Sequence, residues 1–199
     1  MTTSNSRAKA YGLSGTNGAG KDTVGEVLAE HGFYVASATD MLAEGLVEKG
    51  WPIDREHKRT LSTEWRRQFG MGAVVDKGLE HFEKVKDQYE GFGVGSLRHP
   101  GEADRVHELK GLVIWVDADP RKRYERITKA GARDNKAAED QVTYEEFLAQ
   151  QEAEMHPSGD DATLNIAGVK EKADIFLENN GDDIAAFKAE VAKVLGLTS

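Results

Sequence analysis

The chain has 199 residues, 39% of them hydrophobic and 31% charged, with a formal net charge of −9 and no cysteine. That length suits one domain with one sizeable core, and the balance excludes a disordered chain. The acidic excess argues against a protein that coats nucleic acid, which needs Lys and Arg to neutralise phosphates, and the lack of cysteine excludes disulfides and thiolate metal sites.

Met1 to Arg7 is polar and small, without the apolar stretch of a secretory signal, and no apolar run is long enough to cross a bilayer. A cytoplasmic location with no membrane or nucleic-acid partner is the expectation. Monomer and homodimer both stay open.

In chain order, Lys9 to Ser14 is a short, mostly apolar run that stops at a glycine cluster, the pattern of a buried strand. From about Lys21 to His31, Val24, Val27 and Leu28 recur at helical spacing, and Gly32 ends the helix. Phe33 to Ser37 is a second strand. Thr39 or Asp40 caps a helix through Met41, Leu42, Leu46 and Val47, which Gly50-Trp51-Pro52 breaks. Lys58 to Phe69 and Ala73 to Val85 read as helices, with Gly70 and Gly72 between them. Phe92 to Leu97 is a Gly-rich strand candidate, and Gly101 to Lys110 a short helix.

Leu112 to Val116 is the clearest strand, an unbroken apolar run of the kind found in a sheet covered on both faces. Pro120 suits the first turn of a charged helix over Arg121 to Lys129. Gly131 to Asp140 is polar and lacks periodicity. Tyr144 to Met155 reads as a helix, and His156 to Asp161 as a loop. Ala173 to Leu177 is a last strand, and Asn179-Asn180-Gly181 turns into a final amphipathic helix over Ile184 to Leu195. Strands alternating with helices predict an α/β fold, a mainly parallel sheet with helices on both faces.

The strongest motif is Gly15-Thr16-Asn17-Gly18-Ala19-Gly20-Lys21-Asp22-Thr23, which follows the first strand and opens the first helix, as a P-loop must. Glycines let successive backbone N–H groups turn inward around an anion, and the helix N-terminus adds its own free N–H groups. Lys21 supplies a point charge for the β- and γ-phosphates of ATP. Asp22 stands where Ser or Thr normally holds Mg²⁺. Asp22 and the following Thr23 are the metal candidates, Asp22 through water, because Mg²⁺ favours oxygen ligands and keeps several waters.

Gly15 to Thr23, with its Gly-Lys-Asp-Thr ending, resembles the P-loop of nucleoside monophosphate kinases, especially the phage deoxynucleotide kinase type. The rest is similar to dephospho-CoA kinases and to archaeal adenylate-kinase-like proteins. Gly32 to Asp40 with Met41 and Leu42 resembles their second strand and acceptor-site acid, Leu61 to Gly70 their Leu-Arg-x-x-x-Gly helix, and Ala173 to Gly181 their Ala-Asp-x-x-Ile-x-Asn-x-Gly segment. The resemblance runs from about Tyr11 to Leu195. It implies a P-loop NTPase three-layer α/β/α fold over 1–199, with a five-stranded parallel sheet, an acceptor-binding helical region over about 38–90 and a small lid over about 120–142.

The resemblance also implies roles. Asp40 would lie near the acceptor; as a residue it equally suits a helix N-cap. Arg66 and Arg67 would include one phosphate-binding arginine, and adjacent helical residues point in different directions. Arg98 follows the third strand, where strand C-termini line the ligand crevice. Arg121, Arg123, Arg126 and Arg133 cluster in and beside the lid. Arg126 and Arg133 match the family's lid arginines, while Arg121 and Arg123 equally suit solvent or pairing with Glu125 and Asp119. Asn179 and Gly181 would form the loop beside adenine, or a plain Asn-Gly turn. Many of these kinases end the third strand with an acid. Val94-Gly95-Ser96-Leu97-Arg98 has none, leaving Asp22, Asp40 or Glu102 as carboxylates for Mg²⁺.

The six histidines show no His-x-x-x-His spacing, so no zinc site is expected. Trp115 is expected in the core, and Trp51 and Trp65 in packing or stacked on a base. The expected function is transfer of the γ-phosphate of ATP to a nucleoside monophosphate or dephospho-CoA, with Lys21, Asp40, Arg98, Arg126 and Arg133 at the reacting groups. The alternative is a nucleotide-binding regulatory protein with weak or no transfer. A motor ATPase is disfavoured by the short chain and by the lack of a second motif with an acid ending an apolar strand to position hydrolytic water.

Overall fold

The computed structural model describes residues 9–133, 142–156 and 159–197, with the backbone alone for 130–133. Five strands form one sheet: β1 (Ala10–Gly15), β2 (Phe33–Ser37), β3 (Gly91–Gly95), β4 (Leu112–Asp117) and β5 (Ile175–Glu178). The sheet order is β2-β3-β1-β4-β5, and every pairing is parallel. Nine helices of the described residues connect them: α1 (Lys21–Glu30), α2 (Ala38–Lys49), α3 (Arg55–Phe69), α4 (Ala73–Glu83), α5 (Pro100–Glu108), α6 (Pro120–Arg133), α7 (Tyr144–Met155), α8 (Ile166–Glu171) and α9 (Ile184–Val194).

The sheet is apolar on both faces because both are covered. One face packs Leu13, Ile114 and Val116 against Val24, Val27 and Leu28 of α1 and Val191 of α9. The other packs Val94 and Val113 against Val74 of α4, Val106 of α5 and Val169 of α8. Trp115 is 1% exposed, as expected of a core residue. No helix among the described residues is long and apolar enough to cross a membrane.

Several boundaries differ from the sequence reading. Ser37, not Thr39 or Asp40, caps α2: its Oγ accepts from Asp40 N at 3.2 Å. α3 starts at Arg55 rather than Lys58, because Asp54 accepts from His57 N at 2.8 Å and caps it. α8 was not anticipated; its six residues are too few for periodicity to show. The expected lid begins in α6, and residues 134–141 lie outside the described residues.

Candidate active site

Parallel pairing brings the carboxyl ends of all five strands to one edge, where Gly15 lies beside Val116, Ser37 beside Gly95 and Asp117 beside Glu178. The P-loop leaves β1 at that edge. Gly15 and Gly20 hold φ of 139° and 101°, and a Cβ at Gly15 would lie 2.0 Å from Val116 O. No L side chain fits there, which is why the loop needs glycine. Thr16 N donates to Val116 O at 3.2 Å, and Asn179 Nδ2 donates to Ala19 O at 2.9 Å.

Lys21 opens α1 and folds its ammonium over the loop, donating to Thr16 O at 2.7 Å and Gly15 O at 3.1 Å. Burial lowers its pKa from 10.5 to about 8; Arg98 lowers it further, against the opposing pull of Asp22 and Glu154. A lysine held this way gains most from an incoming anion, which restores its preference for the charged form.

Asp117 ends β4 beside the P-loop, and the sequence reading missed it. Its Oδ1 accepts from Thr16 Oγ1 at 2.6 Å and from Ala118 N at 2.9 Å. It is an acid closing an apolar strand, the feature reported as lacking above; stopping the strand at Val116 hid it. The buried Arg123 lies 3.6 Å from that oxygen, donates from Nε to Ala118 O and from Nη1 to Asn17 O at 3.4 Å, and also bonds Gln151. It braces the P-loop instead of pairing with Glu125 or Asp119. Arg121 lies 4.1 Å from the Tyr144 ring.

Two cavities border the loop, and a third shares Thr39 and Ser96 with the second. The first, about 420 Å³, is lined by Gly20, Thr23, Arg126, Asn179, Gly181 and Phe187. Arg126 was expected over the phosphates. It stands at this cavity's wall, where Nη2 donates to Asn179 O at 2.8 Å and Gly181 O at 2.7 Å, and its buried Nη1 has no hydrogen-bond partner among the described residues. The Arg133 side chain lies outside the described residues.

The second cavity, about 310 Å³, is lined by Lys21, Asp22, Ser37, Thr39 and Ser96 among others. Two carboxylates, Asp22 and Glu26, and three hydroxyls are hard oxygen donors of the sort Mg²⁺ accepts. Thr23 faces the first cavity, so the two metal candidates are separated by the turn of the helix. Ser96 follows β3 at φ 64°, the left-handed region that costs a non-glycine residue about 1–2 kcal/mol.

The third cavity, about 280 Å³, opens between α2, α3 and the end of β3, and Arg98 lines it. Arg98 Nη1 donates to Glu154 Oε2 at 3.1 Å. Arg55 also pairs with Glu154, and Arg59 Nη2 lies 3.6 Å from it. Burial alone would raise the Glu154 pKa; the guanidiniums of Arg98 and Arg55 outweigh it and hold the carboxyl below its usual range.

Arg66 is buried at this cavity's wall and committed to Glu102, with Nη2 and Nε at 2.8 and 3.0 Å from Oε1 and Nη1 on Ala162 O at 3.1 Å. Glu102 also accepts from Arg98 N at 2.7 Å, so neither it nor Arg66 is free for metal or phosphate. Arg67 turns away to an exposed pair with Asp160 at 2.7 Å, a correction that follows from the turn of about 100° between adjacent helical residues. Asp40 is exposed in the first turn of α2 and lines none of these three cavities; its neighbour Thr39 lines two of them. Trp51 packs edge-on against His57, and Lys77 lies 5.8 Å from the Trp65 ring, so both tryptophans have protein partners.

A P-loop entering a helix from the central strand of this five-stranded parallel sheet defines a P-loop kinase-like α/β fold. The chain belongs to the family described as "AAA domain", whose profile matches residues 12–148. It is 26% identical over 190 residues to a UPF0200 protein of Thermococcus kodakarensis, covering 92% of this chain and 94% of that one. It is 26% identical over 188 residues to a UPF0200 protein of Sulfurisphaera tokodaii, covering 94% and 96%. Among solved structures it resembles TT1252 from Thermus thermophilus at TM-score 0.58 and 20% identity, covering 97% of this chain and 100% of that one. Shikimate kinase from Acinetobacter baumannii follows at TM-score 0.52 and 16% identity, covering 96% and 92%. Dephospho-CoA kinase from Campylobacter jejuni gives 0.50 and 19%, covering 95% and 96%. These likenesses establish the fold.

Proposed function

We propose that this chain is an ATP-dependent kinase that moves the γ-phosphate to a nucleotide-type small molecule, either a nucleoside monophosphate or dephospho-CoA. The observation that carries the reading is the placement of Lys21, within the P-loop and electrostatically coupled to Arg98 of the third cavity. Both fold neighbours named as kinases support transfer to a small molecule.

In this reading the P-loop N–H groups, Gly15 through Thr23, hold the phosphates, and Lys21 exchanges its bonds to the Gly15 and Thr16 carbonyls for β- and γ-phosphate oxygens. The adenine lies by Asn179 and Gly181, with Nη1 of Arg126, unpartnered among the described residues, as a donor to the nucleotide. The residues around Asp22 fit Mg²⁺, which when bound would offset charge on the β- and γ-phosphates. The acceptor oxygen attacks the γ-phosphorus in line as the bond to the β,γ-bridging oxygen breaks, and ADP leaves. Arg98 offsets the charge of acceptor and moving phosphoryl group. A hydroxyl acceptor also gives up its proton, to solvent water, and a dianionic phosphate acceptor has none to lose.

The second reading, a nucleotide-binding regulatory protein without transfer, is favoured by the lack of an acid in Val94-Gly95-Ser96-Leu97-Arg98 at the end of β3. ADP release from Mg-ATP separates the two. Dephospho-CoA, ribonucleotide and deoxynucleotide monophosphates and a no-acceptor control form the panel, with Lys21→Ala alongside. Turnover dependent on one acceptor and lost in the variant supports the kinase; ATP binding with no acceptor-dependent turnover supports the regulator.

A further inference from the structure

Two ion-pair arrangements share the wall of the third cavity and differ in kind. Arg66 and Glu102 are a sealed one-to-one pair, each side chain 1% exposed. Glu154 is also buried, at 10%, but three guanidiniums share it, and Arg55, Arg59 and Arg98 remain 52%, 52% and 33% exposed. A pair built only for stability needs one partner per charge. Three cations gathered on one carboxylate and open to the cavity form a surplus.

The surplus can be counted. Among the lining charges, Arg66 cancels Glu102 and Asp54 offsets Lys58 in number, leaving three guanidiniums against one carboxylate. That is an excess of two positive charges, on a chain of net charge −9. The geometry is deliberate at the level of sequence. Arg55 and Arg59 are four apart on α3 and share a face, and Arg98 comes to meet them from the end of β3. Apolar Ala38, Leu42, Ile53, Val74 and Leu164 complete the walls, suited to the uncharged part of the same ligand.

We propose that Arg55, Arg59 and Arg98 are the seat of a phosphate dianion of the acceptor, and that the carboxylate of Glu154 holds this seat as an internal competitor which the phosphate displaces. The word "acceptor" rests on the kinase reading; the anion seat does not. A dianion with three terminal oxygens answers three guanidiniums better than a single carboxylate does. Uncharged acceptors are selected against, because they cannot compensate the arginines once Glu154 is displaced.

The test is calorimetric titration with inorganic phosphate, without ATP, of the wild-type chain, Glu154→Gln and the double variant Glu154→Gln/Arg59→Met. Removing the competitor is expected to tighten phosphate binding about tenfold, and Arg59→Met is expected to abolish that gain. Equal or weaker binding by Glu154→Gln overturns the proposal. So does a gain that survives Arg59→Met, since phosphate then binds elsewhere, the P-loop included. An equal gain for acetate overturns the dianion. If Glu154→Gln does not fold, Glu154→Asp draws the carboxylate back by one methylene, and the same criteria apply to it. Because no turnover is measured, failure of the kinase reading leaves these outcomes unaffected.

Discussion

Thr16 Oγ1 donates a 2.6 Å hydrogen bond to Asp117 Oδ1, tying the P-loop to the end of the neighbouring strand. The carboxylate also accepts from Ala118 N and lies near Arg123, so one acid sets the P-loop's position against β4 and α6. A charge-assisted bond of this kind is worth roughly 1.5–3 kcal/mol. Asp117→Ala is expected to weaken ATP binding about tenfold, measured by titration of the folded variant. Unchanged affinity would show that the loop holds its shape without the acid.

Lys21 gives a pH dependence with a defined sign. Its pKa near 8 in the protein means the ammonium loses its proton above pH 8, while phosphates favour the charged form. ATP binding is therefore expected to take up a proton above pH 8, and Kd to rise there by up to about tenfold per unit. Below pH 8 it is flat. Lys21→Arg, charged throughout, removes the slope. The same shift makes the unfolded chain hold its proton more firmly between about 8 and 10.5, so this residue's contribution to stability rises with pH over that window. A wild-type Kd that is flat from pH 7 to pH 10 would contradict the assignment of Lys21 to phosphate.

Arg66 and Glu102 predict stability rather than activity. Arg66→Met leaves a buried carboxylate unpaired, and the expected loss is about 3–5 kcal/mol in urea unfolding. A loss below about 1 kcal/mol would mean that Glu102 is satisfied by the Arg98 and His99 amides alone, whose bonds are 2.7 and 3.2 Å.

Ser96 carries backbone strain at φ 64°. Glycine removes it and gives back part of the gain as chain entropy, so Ser96→Gly is expected to stabilise by about 0.5–1 kcal/mol. For a chain this long, that raises Tm by about 1–4 °C. A lower Tm would show that the Ser96 side chain has a stabilising partner worth more than the strain.

The P-loop and sheet were legible because each rests on local pattern: glycines at fixed offsets, a lysine, apolar runs such as Leu112 to Val116. The core position of Trp115 followed from the same pattern. The arginines were harder. Arg66 and Arg67 are adjacent in sequence, and only tertiary packing decides that one meets Glu102 and the other Asp160. Arg126 turned to the Asn179 loop because partners 53 and 55 residues away in sequence offer it carbonyls. Two signals were readable and overlooked. Asp117 directly follows the apolar run, and Asp54 is an N-cap that would have started α3 early enough to include Arg55. Glu154 had no local signal at all; its importance exists only where α7 meets α3 and the end of β3.

The central claim is phosphoryl transfer, and label transfer tests it most directly. With ATP labelled at the γ-phosphate, Mg²⁺ and each acceptor in turn, the account predicts that label moves to one nucleotide-type acceptor, in equal amount to the ADP formed, and that Lys21→Ala abolishes it. Label appearing only as inorganic phosphate, or remaining in ATP with every acceptor while ATP binds, would contradict it.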